Sequence, residues 1–151
     1  MRFGLEQFQI EEALCNLYLH DDGVWEFVIN VSTGEAIKRS SELAEIIDPN
    51  PNFEATALLS KSDIELHPGK EIFQEAGYDY SRDVNLSNFY YFNHNSIEVL
   101  TIRLIEVTDD WIDAEVTGSV IINGSDGINP DSKISLRTRF KRDTDLRRGI
   151  S

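Results

Sequence analysis

Along most of this chain apolar and polar residues alternate with a period of two, the spacing of β-strands that rest one face on a core. β-Branched and aromatic residues mark strand-like stretches at 5–10, 13–20, 24–32, 54–60, 97–107, 112–122 and 133–141. The last third is the most regular. Leu100, Ile102 and Leu104, then Ile112, Ala114, Val116, Val120 and Ile122, then Ile134, Leu136 and Phe140 all fall on even positions. If these form one core face, the Asp109-Asp110-Trp111 connection must hold an odd number of residues or a bulge must intervene, because a two-residue turn flips one strand. The opposite face then sets Asp113 and Glu115 between Arg103 on one side and Arg137, Arg139 and Lys141 on the other. Such pairs fix register more than they add stability.

Asp22-Gly23 is the clearest hairpin turn, joining Ala13–His20 to Val24–Val31. It places Leu17 and Val28 on one face and Tyr18, Phe27 and Ile29 on the other, so the hairpin is expected to be covered on both sides. Two short helices are expected: one over 40–47, capped by Ser40 or Ser41 and ended by Asp48-Pro49, the other from Gly69 to Ala76, stopped by Gly77. The expected fold is mainly β, a β-sandwich or partly open barrel, α+β only through one or two short peripheral helices. Residues 1–142 are expected to form a single domain and 143–151 a mobile tail.

Composition narrows the function classes. With 151 residues, 40% apolar and 27% charged, the chain can bury a core without help from a disulfide or metal. The first residues lack the continuous apolar stretch of a secretory signal, and no run approaches the roughly 18 apolar residues of a membrane-spanning helix, so a cytoplasmic protein with no membrane partner is expected. Cys15 is the only cysteine, and its alternation with Ala13, Leu17 and Leu19 makes it a buried apolar side chain. The net charge is −13. Lys133, Arg137, Arg139, Lys141, Arg142, Arg147 and Arg148 are half of the 14 basic residues, which leaves positions 1–132 with 7 bases against 25 acids. Such a body repels phosphate backbones, so no nucleic-acid partner is expected.

Motifs with chemistry are sparse. His20, His67 and His94 lack metal-ligand or triad spacing. The stretch Asn123-Gly124-Ser125-Asp126-Gly127-Ile128-Asn129-Pro130-Asp131 lacks the bidentate Glu of a calcium loop and reads as a long turn, and no phosphate-binding glycine motif occurs. No cofactor, metal or catalytic residue is assigned. The densest aromatic region is Tyr78, Tyr80, Phe89, Tyr90, Tyr91 and Phe92.

The expected function is a non-enzymatic acidic domain that binds a basic protein, in its sharpest form a cytosolic immunity-type inhibitor of a basic toxin or enzyme. Asp109, Asp110, Asp113 and Glu115 would steer the encounter, with Tyr90 and Tyr91 as anchors. Three alternatives stand beside it: a small-molecule or carbohydrate-binding β domain using Trp25, Trp111 or Tyr90-Tyr91; an enzyme using dispersed carboxylates such as Asp110 and Glu115; and a homo-oligomer paired through an open edge strand.

Overall fold

In the computed structural model, which describes residues 1–3, 6–38, 50–74, 78–79, 84–91, 93–121 and 133–146, Leu100, Ile102, Leu104, Ile112, Ala114, Val116, Val120, Ile134, Leu136 and Phe140 all lie in one hydrophobic core. They sit on three antiparallel strands that we number, with the rest, in chain order: β9 (Asn93–Val107), β10 (Trp111–Ile121) and β11 (Lys133–Arg142). The earlier strands are β1 (Arg2–Phe3), β2 (Glu6–Leu19), β3 (Trp25–Lys38), β4 (Asn52–Leu59), β5 (Glu71–Gln74), β6 (Tyr78–Asp79), β7 (Val84–Asn85) and β8 (Ser87–Tyr91). A 3-10 turn at Lys61–Asp63 is the only helical element among the described residues.

The parity problem posed by the Asp109-Asp110 turn is solved by a bulge. Thr108 N–H donates to Trp111 O at 2.9 Å, closing a two-residue turn. Val107 then faces Ile112 and Glu106 faces Asp113, but Ala114 faces Leu104, so Ile105 is an extra residue that restores the even positions to the interior. A second shift pairs Ser119 with Val99 and Val120 with Ile97. Gly118 lies beside it, where an added Cβ would overlap the Val99 carbonyl oxygen.

The strands close into a barrel. Around the ring the order is β2, β3, β4, β8, β9, β10, β11, and the ring shuts through parallel pairing of Lys141 with Leu14 and Arg142 with Cys15. β1 fills the other half of that seam, with Arg2 paired to both Ser135 and Gln7. β5 shares a slot with β8, pairing with β9 below it. Phe3, Phe27, Phe53, Phe89 and Phe140 are fully buried with Ile29, Ile97, Leu100 and Leu104, and Phe3 and Phe53 pack on Phe89 at ring-centroid distances of 4.8 Å and 6.1 Å. The interior is thus filled by side chains, as small barrels are.

Two expectations are corrected. The β2–β3 hairpin has three loop residues, Asp21, Asp22 and Gly23, since His20 N–H donates to Val24 O and Leu19 faces Trp25. Gly23 supplies the positive φ of 87° that this loop needs. With His20 opposite Val24, odd-numbered residues of β2 near the turn face odd-numbered residues of β3, which overturns the expected sharing of faces. Leu17 therefore faces Phe27 on the core side, while Asn16 faces Val28 and Tyr18 faces Glu26 on the outside. The outer face is nonetheless enclosed, with Val28, Glu26 and Thr56 all 0% exposed and the Tyr18 hydroxyl donating to Glu26 Oε2 at 2.5 Å. The second correction is the helix expected from Gly69 to Ala76. Glu71–Gln74 is a strand in which Ile72 and Gln74 are buried and Glu71 and Phe73 exposed, a period of two set by pairing with Leu100–Arg103. The helix expected over 40–47 lies outside the described residues.

Asp143–Leu146, the expected start of a mobile tail, is hydrogen-bonded to β2: Asp143 N–H donates to Cys15 O, and Asn16 Nδ2 donates to Leu146 O at 2.8 Å. Gly118→Ala should lower stability by about 2 kcal/mol, because the overlap falls on backbone that cannot rotate away. Urea denaturation would measure the loss, and an unchanged midpoint would show that the bulge tolerates a Cβ.

Candidate functional site: the acidic end of the barrel

Strand direction gathers residues that the sequence scatters. β2 and β11 run in parallel toward Leu19 and Arg142. β3 and β10 run back from Trp25 and Trp111, and β4 and β9 run forward again to Leu59 and Val107. The connections after β2, β4, β9 and β11 therefore share one end of the barrel. Each carries carboxylates: Asp21 and Asp22 in the first, Asp63 and Glu65 in the second, Asp109 and Asp110 in the third, Asp143 and Asp145 beyond the fourth. All are exposed except the half-buried Asp143.

Among the described residues the bases at this end are fewer, and two are occupied. Lys70, with a side chain only 5% exposed, donates from Nζ to Asp63 O at 2.5 Å, Asp63 Oδ1 at 3.0 Å and Glu65 O at 2.8 Å. Gly69 N–H donates to Leu104 O, so the 60–69 loop is tied both to itself and to β9. Arg142 Nη1 donates to Thr108 O at 2.8 Å and its N–H to Asp110 O at 2.9 Å, which fixes the β9–β10 turn against the end of β11. Thr108 Oγ1 accepts from the N–H groups of Asp110 and Trp111. These bonds hold the acidic turns on a rigid base; among the described residues Lys61, Arg139 and Lys141 are exposed cations near this end.

The sequence-predicted site residues divide into three sets. Asp109 and Asp110 are exposed at the turn. Asp113 and Glu115 lie on the outer wall, where Arg137 Nη2 donates to Asp113 Oδ2 at 3.4 Å and Arg103 Nη2 to Glu115 Oε2 at 3.3 Å. The expected cross-strand charge pattern is formed, and it offsets the charge of both acids locally. Tyr90 is exposed and faces Asn52 and His94, roughly 40 Å of strand from the β9–β10 turn. The backbone of Tyr91 pairs with Asn93, and its side chain lies outside the described residues. The barrel thus unites Asp109 and Asp110 with Asp21, Asp22, Asp63 and Glu65, and sets Tyr90 at the far end. No pattern within a single stretch could have signalled that grouping, since it follows from strand direction.

The geometry also bears on the alternatives. Trp111 is stacked under the Arg139 guanidinium, 3.8 Å from the ring centroid, so this face is already in use. Asp110 and Glu115 are separated by roughly 16 Å of extended chain and do not converge on one bond. Phe89 of the aromatic stretch is core, while Tyr80 and Phe92 lie outside the described residues, as does the 123–131 turn. His20 Nδ1 sits 3.1 Å from Asp22 Oδ1 within the hairpin loop, and His67 Nδ1 lies 3.0 Å from Pro68 O. Among the described residues no three His, Cys, Asp or Glu side chains are grouped as metal ligands, and no helix is long and apolar enough to cross a membrane. Comparison with protein-family models, characterised proteins and solved structures gave no match.

Cys15 is 1% exposed, and burial pushes its thiol up to about 12 despite the opposing field of Arg142. A thiol raised on folding contributes stability that is present below its unfolded value and lost as pH rises toward 12. Native protein at pH 8 should therefore resist a thiol reagent that labels the unfolded chain at once, and stability should begin to fall above pH 9; ready labelling of the folded form would contradict both. Lys70→Met keeps the aliphatic stem but removes three donor bonds, and should cost about 2 kcal/mol. Amide exchange should quicken across 61–66, and unaltered protection there would show that the loop is held by other contacts.

Proposed function

We propose that this chain is a non-enzymatic binding domain that docks a basic protein on the acidic end of its barrel. The observation that carries the reading is the convergence of four carboxylate-bearing connections on one end of a barrel whose interior is filled. The packing of the described core side chains in the interior supports recognition on the outer surface. A predominantly acidic rim raises the encounter rate with a basic partner and repels acidic competitors. In its narrower form the partner is a toxin or other enzyme whose basic active surface the barrel end covers, which makes this domain a cytosolic inhibitor of the immunity type.

The test uses wild-type protein and a variant carrying Asp21→Asn, Asp22→Asn, Asp109→Asn and Asp110→Asn as parallel baits at low salt. Exposed substitutions of this kind leave stability within about 0.5 kcal/mol. A basic protein that wild type retains and a salt step releases should associate about tenfold more slowly with the variant. Equal association rates, insensitive to ionic strength, would remove the acidic end from the interface.

A further inference from the structure

The acidic end also exposes an apolar row, and we propose that this row anchors a basic protein segment bearing its own apolar side chains. The inference rests on the acidic-end reading and specifies its partner.

Leu19 faces Trp25, and Trp25 faces Leu59, so three neighbouring strands place one residue each in a single line on the core-side face. The next line inward, Leu17, Phe27 and Ala57, packs with the core, and Phe27 and Ala57 are buried there. In the outer line Leu59 still packs against the core, and Leu19 and Trp25 reach further out. Leu19 is 51% exposed and Trp25 and Leu59 are half-buried. Strand ends that meet water ordinarily carry polar side chains, and an indole flanked by two leucines is a costly choice unless something covers it.

The flanking residues say what that occupant is. Asp21 and Asp22 follow Leu19 after His20 in the hairpin loop, and Asp63 and Glu65 follow Leu59 in the next connection. An aromatic anchor with apolar neighbours inside a charged rim is the arrangement of an interface hot spot, and a rim of carboxylates selects a lysine- or arginine-bearing partner. A second copy of this chain would bring the same carboxylates against themselves, which the net charge of −13 aggravates. A cationic surface without apolar groups would leave the row wet. The occupant that satisfies both features alternates or intersperses basic and apolar residues.

Trp25 and Trp111 are the two tryptophans, so a Trp111→Phe background makes Trp25 emission a reporter of the row. Two synthetic peptides of equal length and charge serve as probes, one alternating Lys with Leu, the other Lys with Ser. At low salt the Lys–Leu peptide should bind about tenfold tighter and shift Trp25 emission to the blue, and Leu19→Ser, at a half-exposed position that leaves the fold intact, should erase that advantage. Equal affinities for the two peptides, both lost in salt, would overturn the anchor while leaving the acidic end as the binding surface. Binding of neither peptide would overturn both. A Lys–Leu advantage that survives Leu19→Ser would place the apolar contact elsewhere and overturn the assignment. Sedimentation showing a dimer that Leu19→Ser dissociates would give the row to a second copy and overturn it equally.

Discussion

A sheet that closes on itself must keep one parity of each strand inside all the way round, and every other feature of this molecule is fitted to that requirement. The β2–β3 connection meets it with three loop residues and a left-handed glycine. The β9–β10 connection uses a two-residue turn, which alone would turn the core residues of one strand outward, and recovers parity with the extra residue Ile105. A second bulge and Gly118 then let β9 and β10 pass closely at the other end of the pair. Register in a half-buried strand is all or nothing, since a slip of one residue exchanges its two faces.

With parity satisfied, phenylalanines and branched residues from around the ring pack together in the interior. The same closure sets the strand directions, and strand direction collects the carboxylates at one end. Lys70 and Arg142 contribute by spending their positive charge on backbone carbonyls of the loops there. Each immobilises an acidic connection, and Lys70 also pairs with the Asp63 carboxylate of the rim.

How much of this the sequence revealed depends on the range of the physical signal. The even-numbered core positions from Leu100 to Phe140 were legible because a strand's period repeats within a few residues, and the ion pairs of Asp113 and Glu115 followed once those strands were set side by side. The β2–β3 faces were misassigned because Asp22-Gly23 satisfies two-residue and three-residue loops alike, and only the pairing of Leu19 with Trp25 separates them. Glu71–Gln74 resembled a helix because Ile72 and Phe73 are adjacent and Gly77 follows, whereas partnership with β9 decides its state. The distance of Tyr90 from Asp109, and the nearness of Asp109 to Asp21 and Asp63, were illegible because neither is a property of any local stretch. They are properties of topology.

The seam where β11 meets β2 links residues from the two extremes of the chain, with Asn16 reaching Leu146 across 130 positions. A ring joined there cannot shut until its last strand exists. During synthesis β2 must therefore wait with a free edge while more than a hundred further residues are made, and the large entropy of that long loop is lost in a single late step. The bonds of Asp143 and Asn16 add to the contacts that hold the ring shut at this seam.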